Sequence, residues 1–271
     1  MTIKEALYKS KELLKEVSSE NYIESLLLMS HLLKVDLKSI FLMEEKDLDR
    51  RRESLFFDYV RRRMRGYPIP YITKRKSFMS LEFTIDEGVF IPRPETETLV
   101  EIAVAQACGK KLFLDIGCGS GVISISLLYY CKELCGVAVD VSEKAIEITR
   151  INAKKFGVED RLTLYNLDFM DLKKESSFDF IISNPPYVAS YRLKNLPYEP
   201  PVALDGGPDG FRIYPSLIKK SFEMLKTGGF ILLEIDPPIA NKVEKELKKY
   251  FKDVKILKDL SCLERYAYGR K

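Results

Sequence analysis

Residues 178–187 read Phe-Asp-Phe-Ile-Ile-Ser-Asn-Pro-Pro-Tyr, an apolar strand running straight into an amide, two prolines and an aromatic ring. Asn184, Pro185, Pro186 and Tyr187 therefore stand just past the carboxyl end of a buried strand, where open α/β sheets bind their ligands. Proline fixes φ and carries no N–H, which leaves the Pro185 carbonyl free to accept a hydrogen bond from a ligand. An isolated Asn-Pro-Pro is more simply a loop that ends a strand. Its strand context and a companion motif upstream favour a site.

That companion spans residues 111–127: a strand ending at Asp115, a turn through Gly117, Cys118, Gly119, Ser120 and Gly121, then an apolar helix. Glycines let the main chain turn sharply and approach a ligand without Cβ atoms intervening. The dinucleotide fingerprint Gly-x-Gly-x-x-Gly needs a small residue where Val122 stands, so the spacing counts against a nicotinamide or flavin dinucleotide. Asp140 closes the apolar run Gly136–Val139, at the distance where a carboxylate takes both ribose hydroxyls of an adenosine. Helix capping is its competing role, with Ser142 just behind it. A third strand, residues 161–167, ends in Asp168-Phe169, an acceptor for an adenine amino group and an aromatic face for its ring.

Glycine loop, ribose carboxylate, Asp-aromatic pair and Asn-Pro-Pro-Tyr occur here in the order of class I S-adenosylmethionine-dependent methyltransferases, which the chain resembles. Residues 89–97, Val-Phe-Ile-Pro-Arg-Pro-Glu-Thr-Glu, narrow the resemblance to the protein-glutamine methyltransferases called HemK or PrmC, which modify peptide chain release factors. Residues 66–72 (Gly-Tyr-Pro-Ile-Pro-Tyr-Ile) and 198–210 (Tyr-Glu-Pro-Pro-Val-Ala-Leu-Asp-Gly-Gly-Pro-Asp-Gly) also match. The similarity runs from residue 66 to residue 271, with a helical counterpart before it.

The resemblance implies S-adenosylmethionine as methyl donor, with S-adenosylhomocysteine as product, and a glutamine in the Gly-Gly-Gln loop of a release factor as acceptor. It implies further that Phe90, Pro92 and Arg93 close over the donor, and that Glu199 and Pro200 line the acceptor side. Glu95 and Glu97 are read as caps of the next helix. An amide nitrogen is a poor nucleophile because its lone pair is delocalised. Asn184, through its side-chain oxygen, and the Pro185 carbonyl can accept both N–H bonds of a planar NH₂ group and aim the nitrogen, with Tyr187 against its plane. Positioning then outweighs acid-base catalysis.

Alternating strands and helices imply an α/β architecture with a parallel sheet, and the resemblance implies a Rossmann-like, mostly parallel seven-stranded sheet with an antiparallel final strand, preceded by a small all-α domain and a β-hairpin linker. Strands are expected at 112–115, 136–140, 162–167, 178–183, 230–235, 254–257 and 265–268. The class I resemblance implies that the first and fourth of these lie side by side, opening a crevice between the glycine loop and Asn-Pro-Pro-Tyr. Residues 1–65 read as helices that recognise substrate, with Thr2-x-x-Glu5 as a capping box and apolar positions such as Leu26, Met29 and Leu33. Residues 66–92 read as the linker, a strand over Phe78–Ile85 turning at Asp86-Glu87-Gly88 into Val89–Ile91, and residues 93–271 as the methyltransferase domain.

With 271 residues, 46% of them hydrophobic, the chain can bury a sizeable core. The sequence contains no run of about 18 apolar residues and no signal peptide, and five cysteines without a zinc-like spacing point to reduced thiols, a cytoplasmic location and no metal. The single histidine, His31, lies in a helical apolar pattern far from the motifs, against a Ser-His-Asp or Cys-His hydrolase. Cys118 is read as presenting its backbone rather than a nucleophile. A net charge of +4, from 44 basic and 40 acidic groups, suits an acidic protein partner without requiring nucleic acid; no stable nucleic-acid complex and a monomer are expected.

Other readings start from the same residues. A glutamine of a ribosomal protein, or an amino group of adenine or guanine in nucleic acid, presents the same NH₂. A base in a duplex must be extruded, and enzymes that do so usually carry a target-recognition region, of which the sequence offers no obvious example. A non-catalytic RNA-binding module sits poorly with the intact Gly117, Gly119, Gly121, Asp140, Asn184 and Tyr187.

Overall fold

The Thr2-x-x-Glu5 spacing closes as a capping box: the Glu5 N–H donates to Thr2 Oγ1 at 3.2 Å and the Thr2 N–H to Glu5 Oε2 at 3.0 Å. Two donors that the start of α1 (Ile3–Leu14) leaves without helical partners are thereby satisfied. A computed structural model of the chain describes residues 1–173 and 177–271, which divide into two units, Met1–Arg75 and Lys76–Lys271. In the first unit α1 is followed by α2 (Asn21–Leu33), α3 (Leu37–Leu42), α4 (Arg50–Met64) and α5 (Ile69–Thr73), around Leu7, Leu14, Leu28, Met29, Phe56 and Val60. Phe56 and Val60 share one face of α4, while Leu55 is exposed. The arginine run of α4 is not wholly solvated. Arg63 forks onto Glu24 of α2, Nε to Oε2 at 2.8 Å and Nη2 to Oε1 at 2.9 Å.

The hairpin differs from its expected position. β1 (Arg75–Phe78) pairs with β2 (Leu81–Thr84), so the chain turns at Met79 and Ser80, and Val89–Ile91 is irregular. Met79 and Ser80 have φ of 49° and 58°, the left-handed pair that a two-residue hairpin turn needs. Glycine or asparagine usually fills such a turn, and here neither does.

The remaining elements alternate: α6 (Glu95–Gln106), β3 (Leu112–Ile116), α7 (Val122–Tyr130), β4 (Cys135–Asp140), α8 (Glu143–Lys155), β5 (Leu162–Asn166), β6 (Phe178–Ser183), α9 (Tyr214–Met224), β7 (Leu225–Glu234), α10 (Ala240–Leu247), β8 (Lys252–Lys258) and β9 (Glu264–Arg270). The seven strands β3 to β9 form one sheet in the order β5-β4-β3-β6-β7-β9-β8. It is parallel from β5 to β7, with β9 antiparallel to β7 and to β8. β3 therefore lies between β4 and β6, and the direction of winding reverses beside it, which opens a crevice at the carboxyl ends.

Register aligns those ends. Ile116 is level with Val139, Asp115 with Ile182, and Ser183 with Leu233. Asn184 and Glu234 each follow one residue after the last pair. On one face of the sheet Phe113, Phe180 and Phe230 stack across β3, β6 and β7 at centroid distances of 5.4 and 5.0 Å, and Tyr268 of β9 continues the row at 5.5 Å. The three phenylalanines are almost wholly buried, and each such ring contributes about 2–3 kcal/mol of transfer free energy. On the other face Leu114, Ile116, Ile181 and Leu233 pack among Tyr214, Leu217 and Ile218 of α9 and Val243 of α10. Among the described residues, no helix is long and apolar enough to cross a membrane.

Candidate active site

A cavity of about 630 Å³ lies beyond the carboxyl ends of β3, β4, β5 and β6. Its walls include Gly117 to Ser120, Asp140, Asp168, Phe169, Asn184 to Tyr187, and Phe90, Pro92 and Arg93. Two sequence candidates stand outside the walls, Gly121 and Glu199.

Main-chain geometry shapes the glycine loop. The Gly117 and Cys118 N–H groups both donate to the Val139 carbonyl, at 2.8 and 3.1 Å, and the Gly119 N–H donates to Asp140 Oδ2 at 2.9 Å. Gly121 turns into α7 with φ +79°, and a Cβ there would lie 2.7 Å from Thr149 Cγ2 and 2.8 Å from Ile125 Cδ1. Its role is to bring α7 close to α8, behind the cavity. Asp115, at the end of β3, accepts from the Ser124 N–H at 3.2 Å and from Ser124 Oγ at 2.5 Å, so it too ties strand to helix.

Asp140 Oδ1 accepts from the Ser142 N–H at 2.9 Å, while Ser142 Oγ caps α8 by accepting from the Ala145 N–H at 3.2 Å. Capping thus falls to Ser142. Beside these main-chain donors and that of Val141, the two Asp140 oxygens, with about four acceptor sites between them, keep capacity for a ribose hydroxyl. Burial pushes the Asp140 carboxyl up, and hydrogen bonds from Ser142 and Gly119 act against that shift. Burial, with Asp115 and Asp140 nearby, pushes the Cys118 thiol well up, so it is a poor nucleophile. Ser120 Oγ, at the cavity wall, is buried without a hydrogen-bond partner among the described residues. Asp168 Oδ1 accepts from the Met170 N–H at 2.9 Å, and Phe169 borders the cavity while packing in the same core as Ile116 and Val139.

On the opposite wall Asn184 Nδ2 donates to Thr96 Oγ1 at 3.2 Å, and Thr96 Oγ1 donates to Glu234 Oε2 at 2.7 Å. The Tyr187 hydroxyl donates to Glu234 Oε1 at 2.8 Å. Burial raises the Glu234 carboxyl above the ordinary range, opposed by the hydrogen bonds from Thr96 and Tyr187 and by the Arg265 charge. The Asn-Pro-Pro-Tyr loop is backed by residues 204–210. The Val188 N–H donates to the Leu204 carbonyl and the Gly206 N–H to the Val188 carbonyl, both at 2.8 Å. A Cβ on Gly206 would sit 2.8 Å from Tyr187 Cα, and one on Gly210 would sit 2.3 Å from the Tyr187 carbonyl oxygen.

Glu199 is buried, with Oε2 accepting from the Ile91 N–H at 3.1 Å and Oε1 paired with Arg93 Nη2. Its carboxylate fastens the segment around Ile91 to the loop after β6, and Arg93 also lies over the Phe90 ring at 4.9 Å. Each residue of Glu95-Thr96-Glu97 has its own attachment. The Glu95 carbonyl accepts from the Tyr266 hydroxyl at 2.7 Å, Thr96 bridges Asn184 and Glu234, and Glu97 Oε1 accepts from the Met79 N–H at 2.9 Å.

Thr96 and Glu234 were not legible as site residues. Their link spans 138 residues, and the one local sign was an acidic residue at the end of an apolar strand.

A crevice at the switch point of a seven-stranded sheet that ends antiparallel defines a class I methyltransferase. The same fold is seen in a 16S rRNA methyltransferase of T. thermophilus solved with AdoMet and guanosine, at TM-score 0.54 and 19% identity over 73% of this chain and 49% of that one. A methyltransferase from Pyrococcus furiosus also matches, at TM-score 0.54 and 19% identity over 74% of this chain and 93% of that one. Residues 81–261 match the family model "Methyltransferase small domain" and residues 5–73 match "PrmC N-terminal domain".

The release factor glutamine methyltransferase of Clostridium acetobutylicum is 36% identical over 98% of this chain and 97% of its own. That of Aquifex aeolicus is 36% identical over 97% and 96%. The chain belongs to the release factor glutamine methyltransferase family.

Proposed function

We propose that the protein transfers a methyl group from S-adenosylmethionine to the side-chain amide nitrogen of the glutamine in the Gly-Gly-Gln loop of a peptide chain release factor, in the cytoplasm. The observation that carries this reading is the pairing, across one cavity, of the glycine loop and Asp140 with the Asn184 amide and Pro185 carbonyl. Asp140 keeps acceptor capacity beside its main-chain donors, and buried Ser120 Oγ has no partner among the described residues, so this wall fits an adenosine-bearing donor.

When bound, S-adenosylmethionine supplies an electrophilic methyl on sulfonium sulfur: the S–C bond breaks with its electron pair returning to sulfur, the N–C bond forms, and S-adenosylhomocysteine results. Asp140 holds the ribose, Asp168 accepts from the adenine amino group and Phe169 borders its ring. Phe90 and Arg93 cover the donor from the side that Glu199 anchors. Asn184 Oδ1 and the Pro185 carbonyl accept the two N–H bonds of the glutamine amide and point its nitrogen at the methyl carbon. Pro186 and the Tyr187 ring bound the amide plane. The methylated nitrogen becomes acidic after the new bond forms, and its extra proton goes to water.

Radiolabelled methyl transfer to purified release factors, to a ribosomal-protein mixture and to unmethylated DNA in parallel, with mass mapping of labelled peptides, tests the proposal. Label on the Gly-Gly-Gln glutamine is the expected result. Label confined to ribosomal protein or DNA would overturn the acceptor while leaving the donor side intact.

A further inference from the structure

Asn184 has two ends of opposite character, and only one of them can receive an N–H from an acceptor amide. The geometry around it dictates which end is presented. Glu234 is fully buried, and the hydrogen bonds it receives from Thr96 and Tyr187, with the Arg265 charge, act against burial to favour the carboxylate, which offers acceptors alone. Its Oε2 takes the Thr96 hydroxyl proton at 2.7 Å and its Oε1 takes the Tyr187 proton at 2.8 Å. A threonine hydroxyl has a single proton, so once it is given to Glu234, Thr96 Oγ1 can only accept. The Asn184 atom 3.2 Å away must then be the NH₂ nitrogen, and the amide oxygen faces away from Thr96.

We propose that Glu234, acting through the one hydroxyl proton of Thr96, is the positioning residue that sets which end of the Asn184 amide meets the acceptor nitrogen. The same carboxylate holds Tyr187 on the other side of the acceptor, so both contacts are set from one buried point. This inference rests on the reading of Asn184 as an acceptor of the substrate amide. Neither Thr96 nor Glu234 takes part in bond making. A Thr96 that donated to Asn184 instead would turn the amide round and present two donors to a group that itself only donates, and the acceptor would lose one of its two supports.

The test compares Thr96→Val, Thr96→Ser, Glu234→Gln and Asn184→Ala in the full chain. It reads kcat and KM with a release factor, S-adenosylmethionine affinity by calorimetry, and Tm. Thr96→Val keeps the shape but removes the hydroxyl, and it should lower kcat by about tenfold or more, with cofactor affinity within about twofold. Thr96→Ser restores the hydroxyl and should restore kcat. Glu234→Gln offers Thr96 a donor as well as an acceptor, so the amide is no longer held one way round, and kcat should fall while the fold is kept.

A folded, cofactor-binding Thr96→Val with wild-type kcat overturns the proposal, as does a Thr96→Ser as impaired as Thr96→Val or a fully active Glu234→Gln. If Asn184→Ala turns over normally, the reading of Asn184 itself fails. If Asn184→Ala is inactive beside a fully active Thr96→Val, only the Glu234–Thr96 relay fails.

Discussion

Gly119 and Asp140 are joined directly: the Gly119 N–H donates to Asp140 Oδ2 at 2.9 Å, so the loop after β3 and the carboxylate after β4 are a single preassembled wall. Removing the carboxylate therefore takes away the proposed ribose ligand and a brace of the glycine loop together. Asp140→Ala should raise the S-adenosylmethionine dissociation constant by about tenfold or more, measured by calorimetry. Unchanged affinity would refute the ribose assignment.

Asn184 lies on the wall proposed to take the acceptor, where Thr96 holds it. Asn184→Ala should keep cofactor affinity and lose about 10²-fold or more in kcat, the scale on which a single preorganised polar contact acts in catalysis. Equal loss of affinity and turnover would instead mean that Asn184 chiefly supports the donor pocket.

Glu199 satisfies the buried Ile91 N–H and pairs with Arg93. Glu199→Ala leaves that N–H without an acceptor and should cost about 2 kcal/mol in denaturant unfolding. Glu199→Gln keeps an oxygen for Ile91 and should cost less. Were both variants as stable as wild type, the anchoring of this segment would lie elsewhere.

Asp115 is buried, with Oδ1 unpartnered among the described residues, and burial lifts its carboxyl from 3.8 to about 7 despite the hydrogen bonds from Ser124. A carboxyl raised in the folded state favours folding at low pH and loses that contribution as pH climbs to the folded value, so wild type should lose stability relative to Asp115→Asn between about pH 4 and pH 7. Urea midpoints of the two proteins at stepped pH provide the check. A difference constant with pH would contradict the raised value.

Much of this was legible in the sequence because it is local. The strand runs, the glycine turn and Asn-Pro-Pro-Tyr are each written in consecutive residues, and the class I resemblance that their order carries implied which loops share a crevice. What was not legible depends on contacts between distant segments. Thr96 belongs to a motif already singled out, yet its neighbours there gave no sign that it would bridge Asn184 and Glu234. Glu199 was expected at the acceptor side and instead holds Ile91 and Arg93, because its carboxylate meets a buried N–H that no local pattern reveals. The hairpin was misplaced for the opposite reason. Asp86-Glu87-Gly88 has turn chemistry, whereas Met79-Ser80, which does turn, has none.

The main-chain contact of Gly206 and Gly210 with Tyr187 has a consequence for how this enzyme can change. The position of the aromatic wall is stored in backbone packed on backbone, at distances that admit no side chain. Val202 is exposed and lines the same cavity, and it takes no part in that contact. Substitutions at that position can accumulate while the backbone contact behind Tyr187 is inherited unaltered. The lining of the cavity and the backbone that shapes it are in this sense separately heritable, and a library randomised at Val202 should alter acceptor preference more readily than it abolishes turnover.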